Sequence, residues 1–407
     1  MERKIIEFKP LESYFSDMKF QNNEYTVAVT EVQKILTNVR DMYEKKPNQE
    51  NFNHIPSTYD EITRCYSDIA AMCVDFTDTI YSQLEVYPQN CAEALNRIDS
   101  NLTGALAKVD MLINYPDLNP TDKELLVNIL VSYMDGIITN SKQQIEFLDL
   151  LLKNLNTFSD KNVNMIILNM NTILGDISTE SANYKKAKEA LEKYIKQLKK
   201  DINEQIALVT MSCGVTIMAI ITGIVAVAAT VASLGTALPI GLTVVGGLIG
   251  VGATFFGIGM SSYDLHELRV EVEETTKNIS SYEADILTFE AWSNNVEEYK
   301  RSLDHLSEEL DTIKNAWSGV KSGFTQIKTE IEDSKGNLQQ NRWLEIQSSL
   351  KNCQVTSNEL RTMLEDMQLE NNLFTRASLE VDMTAEQVSE ALEKAEKLTF
   401  KEYMLAI

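Results

Sequence analysis

Residues 230–241 read TVASLGTALPIG, a tight turn by its chemistry. Gly235 and Gly241 can take positive φ, Pro239 cannot continue a helix, and the Ser and Thr hydroxyls can bond local backbone. Turns usually sit among polar residues, but this one lies inside a run from Gln205 to Tyr263, 59 residues without an Asp, Glu, Lys, Arg or His. Two arms flank it, Ile206–Val231 and Ile240–Met260, of 26 and 21 residues. As helices they would be about 39 and 31 Å long, and about 20 residues are needed to cross the hydrocarbon of a bilayer. If both arms span, the turn emerges on the far side and the charged flanks stay together on the near side. The residues expected to meet lipid are Ile206, Val209, Ile217, Ile220, Ile221, Ile224, Val227 and Val231 in the first arm. Leu234, Leu238 and Pro239 belong to the turn, and Ile240, Leu242, Val245, Leu248, Ile249, Phe255, Phe256 and Ile258 to the second arm.

The rest of the chain is of opposite character. Over 407 residues, 37 Lys and Arg stand against 60 Asp and Glu, a net charge of −23. That balance argues against a nucleic-acid partner, which needs clustered cations, and against capture by anionic lipid through charge alone. Ten of the sixteen glycines lie inside the uncharged run, and after Thr121 the only proline is Pro239. Strand and hairpin turns have little raw material outside the run, so a few very long helices are expected.

Apolar periodicity supplies them. Tyr59, Ile62, Tyr66, Ile69, Cys73, Phe76, Ile80, Leu84 and Tyr87 form one seam, expected to end at Pro88. Cys91 to Leu112 form a second, closed by YPDLNP. Thr121 and Glu124 read as a capping box for the next helix, which is free of proline to Glu204 and is expected to be one helix or two joined near Gly136 or Gly175. After the run, a seam from Leu265 through Trp292 and Trp317 to Ile331 steps by threes and fours over about nine heptads, the pattern of a coiled-coil-like rod ending at Gly336. Trp343 to Met367, then Val388, Leu392 and Ala395, suggest one or two returning helices, and Val32 to Tyr43 another near the start. Aromatic residues in these seams read as core packing.

Catalytic chemistry is not visible. His54, His266 and His305 are far apart in sequence, no GxxxxGK[ST] loop occurs, and acidic pairs such as Glu308 and Glu309 fall on a solvated helix face. No catalytic residue, cofactor or metal is assigned. Five cysteines without a CxxC pair fit a reduced protein, and Cys65 and Cys73, eight residues apart on one helix, are too distant for a disulfide. The N-terminus MERKIIEFKPLESYF lacks the apolar core of a cleavable secretion signal.

Three readings of the uncharged run compete: a hairpin that inserts conditionally into a membrane, a permanent two-pass anchor for a coiled-coil scaffold or sensor, and a buried core hairpin. The second arm favours the first reading. Its seven glycines between Gly241 and Gly259 each cost a helix interior about 1 kcal/mol against Ala, so the segment is tolerant of more than one conformation. An acidic downstream flank (Glu267, Glu271, Glu273 and Glu274) argues against a two-pass anchor, which would carry Lys and Arg on both sides. The narrow seams of the other helices cannot wrap a core hairpin this apolar.

Long amphipathic helices with one uncharged hairpin between two of the longest resemble the cytolysin A superfamily of α-helical pore-forming toxins. Within it the chain is most similar to the α-xenorhabdolysin type and its A component, with the tripartite enterotoxins related to haemolysin BL close by. The resemblance implies an all-α, elongated helical bundle, with residues 1–204 and 264–407 as a tail and 205–263 as a membrane-inserting head. It further implies a soluble, secreted chain that meets a target-cell membrane and assembles with a second subunit, and with itself, into a ring.

Overall fold

The computed structural model describes residues 9–43, 56–177, 281–367, 373–376 and 396–405, with single positions between 182 and 193. Its order is α1 (Leu11–Tyr43), α2 (Pro56–Asp75), a first π-helical turn (Phe76–Tyr81), α3 (Ser82–Asn114), α4 (Pro120–Phe158), a second π-helical turn (Ser159–Val163), α5 (Asn164–Ile177), α6 (Ser281–Asp333), α7 (Gln340–Glu365), β1 (Leu373–Arg376), β2 (Glu396–Thr399) and α8 (Phe400–Leu405). The all-α class is as expected. At 53 residues, α6 is about 80 Å long. The head assigned to Gln205–Tyr263, with its lipid-facing and turn residues, lies outside the described residues.

Two compact units divide the chain. The first falls within Met1–Val29, Ser82–Asn156 and His305–Met367, the second within Thr30–Tyr81, Thr157–Asp304 and Gln368–Ile407. In the first unit, polar contacts fix helix direction and register. Asn156 accepts from Ser307 at 3.0 Å, Asp149 pairs with Lys314 at 3.2 Å and Asp135 with Lys328 at 2.7 Å, so α4 and α6 run antiparallel with contacts seven and fourteen residues apart. Lys19 meets Glu359 at 2.9 Å and Glu12 accepts from Asn352 at 3.3 Å, so α1 and α7 run parallel. Arg97 donates to Asn140 at 2.7 Å and Asn154 to Gln83 at 3.0 Å, which makes α3 and α4 antiparallel. These exposed or part-buried pairs fix register more than they add stability. Heptad spacing repeats the same edge-to-edge contact while the apolar seams, among them Leu95, Ile98, Leu102, Leu130, Leu310, Trp317 and Leu350, are buried between them.

The long seams lie where the periodicity puts them. From Ile286 through Trp292, Tyr299, Leu306, Ile313 and Phe324 to Ile331, the apolar positions of α6 are buried, although Ile327 is only partly so. Gly336 stands at φ 73°, and its N–H returns to the Ile331 carbonyl at 3.1 Å, closing the end of α6 with a backbone twist that glycine adopts without strain. Cys65, Cys73, Cys91 and Cys353 are buried free thiols, as the eight-residue spacing of Cys65 and Cys73 requires for that pair.

Local signals misplaced several boundaries. Pro88 does not end a helix: it sits buried inside α3, and helix continues from Pro56 to Asn114 through the first π-helical turn. A helical proline leaves the carbonyl four residues earlier without its N–H. Here that carbonyl, Leu84, accepts from the Tyr25 hydroxyl at 2.8 Å, so tertiary structure supplies what the helix lost. The cap of α4 is Asn119 rather than Thr121. Its side chain accepts from the Asp122 N–H at 2.9 Å, with Pro120 at the first helical position. Neither Gly136 nor Gly175 interrupts its helix. Gly136 is a site of close approach, because a Cβ there would strike Asn101 of α3. The real interruption is the second π-helical turn, where the apolar positions step five residues from Phe158 to Val163 and the buried residue between them is Ser159.

Strands were not expected. β1 and β2 pair antiparallel, Leu373 opposite Thr399 and Arg376 opposite Glu396, and LFTR and EKLT are too short to show an alternating pattern. Val388, Leu392 and Ala395, read as a returning helix, lie outside the described residues.

Candidate membrane-acting site

The structure places the helices on either side of the uncharged run: α5 ends at Ile177 and α6 begins at Ser281, both in the second unit. Lys185, Lys186 and Lys193, on the way into the run, are exposed, and Ala190 is buried. Among the described residues no helix is long and apolar enough to cross a membrane.

The core of this unit is aromatic. Trp292 stacks on Tyr66 with ring centroids 3.9 Å apart, meets Phe289 edge-on at 6.2 Å, and donates its indole N–H to the Val39 carbonyl at 2.9 Å. One side chain thereby ties α6 to α1 and α2 through both stacking and a buried hydrogen bond. Phe76 lies edge-on to Tyr299 at 5.7 Å and 5.6 Å from Phe158. Burial pushes the Tyr299 hydroxyl well above its ordinary pKa. Tyr81 accepts from Gln33 at 2.9 Å and packs against Phe400 of α8, while Arg40 lies over the Tyr403 ring at 4.9 Å.

Sequence reading missed the two π-helical turns of this unit, which lie side by side. Asn162, in the second, donates to Asp75, immediately before the first, at 2.7 Å, and Phe158 meets Phe76 across the same junction. Such turns often mark functional positions. The five-residue step from Phe158 to Val163 is the signal that could have revealed one of them.

Nucleophiles and metal ligands are not assembled here. Burial pushes the Cys65 thiol to about 11 and Cys91 to about 12, and raises Cys353 further, so these thiols stay protonated at neutral pH. Among the described residues no group of three His, Cys, Asp or Glu side chains could hold a metal ion.

Long helices joined in this order, with an uncharged run between α5 and α6, define the class: the fold is that of soluble α-helical pore-forming toxin components. The chain is similar to the HblL1 toxin component of Bacillus cereus, with a TM-score of 0.57 and 14% identity over 84% of this chain and 95% of that one. It is also similar to soluble SmhA of the tripartite α-pore forming toxin Smh from Serratia marcescens, with a TM-score of 0.53 and 7% identity over 86% and 95%. At these identities the likeness is one of fold. No family model and no curated protein matches the sequence.

Proposed function

We propose that this chain is a component of an α-helical pore-forming toxin and has no enzymatic role. Its membrane-acting part is Gln205–Tyr263, which enters the target bilayer as a hairpin turning at Gly235, Pro239 and Gly241. The residues of both arms, from Ile206 to Ile258, meet lipid. The remaining helices keep the chain soluble before the membrane is reached and present it to at least one partner subunit and to further copies in a ring. The observation that carries this reading is the 59-residue uncharged run between α5 and α6 of a fold shared with toxin components.

The test is dye release from liposomes by the purified chain, alone and with the products of neighbouring genes added singly and together. The chain is expected in the soluble fraction without detergent, and release is expected only when partners are present. Recovery in the membrane fraction alone would establish the permanent anchor instead. Intact liposomes under every combination would overturn the toxin reading.

A further inference from the structure

The second π-helical turn holds one residue more than an α-helical turn would. Its signature is the Asn164 N–H bonding to the Ser159 carbonyl, five residues back. Downstream, α5 buries Ile166, Met170, Ile173 and Ile177, while Met165, Leu168, Thr172 and Asp176 are exposed. Were the turn to re-form as α-helix, everything after it would advance by one residue's rotation, roughly 100°. The buried side would then be occupied by the residues one place earlier: Asn162, Met165, Asn169, Thr172 and Asp176.

We infer that Ser159–Val163 is a rotary switch, which at a lipid surface converts from π to α and turns the stripe Ile166, Met170, Ile173 and Ile177 outward onto the bilayer. The inference deepens the pore-forming reading and rests on it. In water the conversion is opposed, because it would bury the Asn169 amide and the Asp176 carboxylate and expose four large apolar side chains. Against lipid the exposed stripe gains an apolar environment, so the cost of leaving the core largely disappears. The contacts around the turn fit a latch. Asn162 is held by Asp75 at 2.7 Å outside the seam and would enter it on conversion, and the Phe76–Phe158 contact fixes the helix just before the turn. A helix interrupted by glycine or proline would bend at that point. A π-helical turn stores an offset in rotation, and α5 precedes the uncharged run in the sequence.

The experiment uses the full chain with Cys213→Ser, whose four remaining cysteines are buried, and phosphatidylcholine–cholesterol vesicles. Met170→Cys should resist a water-soluble maleimide in buffer and gain reactivity toward a lipid-soluble maleimide by about tenfold or more on vesicle addition. Thr172→Cys, exposed in the present register, should react in buffer and lose reactivity by a similar factor. Unchanged reactivity of both on vesicle binding overturns the inference. A second variant deletes Lys161, which shortens the five-residue step to four and lets α-helix form with α5 still in its present register. It should keep the helix content and melt at or above the parent, yet lose dye release. Release at the parental rate also overturns the switch. If the deletion does not fold, the two cysteine variants decide. Failure of the parent itself to release dye with any partner would instead sink the toxin reading, and the footprint would still decide the switch, since it reads α5 on a vesicle and needs no pore.

Discussion

Tyr25→Phe removes one oxygen atom, and the structure states what that atom does. Pro88 leaves the Leu84 carbonyl without its helical donor, and the fully buried Tyr25 hydroxyl fills the gap at 2.8 Å. Without it a buried carbonyl is unsatisfied, which costs about 1–3 kcal/mol. The ring stays and so does its edge-on contact with Tyr87 at 5.0 Å, so little packing is lost. The decisive comparison is made in a Pro88→Ala background, where residue 88 regains an N–H and Leu84 regains a helical donor. There Tyr25→Phe should cost less by about 1 kcal/mol or more, well outside the 0.3–0.5 kcal/mol within which independent sites add. Urea denaturation of the parent, both single variants and the double variant, followed by circular dichroism, closes the cycle. Equal cost in both backgrounds would refute the claim that the hydroxyl acts as a substitute helix donor. Pro88 would then be tolerated for another reason, the adjacent π-helical turn being the first to examine.

Val227→Asp and Leu248→Lys should each impair vesicle permeabilisation while the soluble fold melts as before, because a charge at the centre of a membrane helix costs about 2.5–3.5 kcal/mol; unchanged lysis would place both residues away from lipid. Deleting Ile206–Met260 and joining the ends by a short Gly/Ser link should leave a helical protein that no longer binds vesicles in a flotation assay, and continued binding would shift the activity to the rest of the chain. Glu330 is held below its ordinary pKa by its hydrogen bonds with Arg342, so its contribution is present above the unfolded carboxylate pKa and is lost as pH falls through the folded value. Glu330→Gln should therefore flatten the acid-side loss of unfolding free energy, by less than about 1 kcal/mol since the pair is partly exposed, and an unchanged pH profile of urea denaturation would show that the pair is not formed in solution. With Cys65, Cys73, Cys91 and Cys353 replaced, a dye on Cys213 should meet a lipid-soluble quencher only after membrane and partner are added; leakage from vesicles without quenching would exclude the first arm at that depth.

Sequence alone determined the class of this protein and the segment expected to act. Apolar residues at steps of three and four from Ile286 to Ile331 admit one solution, a long helix buried along one face, because side-chain direction in a helix follows from residue number. A run of 59 residues without charge in a chain of net charge −23 likewise needs no coordinates to be noticed. Tertiary structure decided where helices continue and where they change. Pro88 reads as a stop because its missing hydrogen bond is local, and it is not one because Tyr25, 63 residues away in sequence, donates the bond. Gly136 reads as a joint because glycine is a poor helix former, yet α4 runs through it unbroken, with the Asn101 side chain of α3 lying where a Cβ would stand. Asn119 caps α4 ahead of Thr121 because Pro120 needs the first helical position, and a capping box cannot follow a helix already begun. The strands β1 and β2 exist through pairing across some twenty residues, and the second π-helical turn through a seam that must keep Phe158 and Val163 on one buried side. Periodicity fixes what one helix can bury by itself, whereas a donor, a close approach or a change of register is fixed by the neighbour that the fold brings against it.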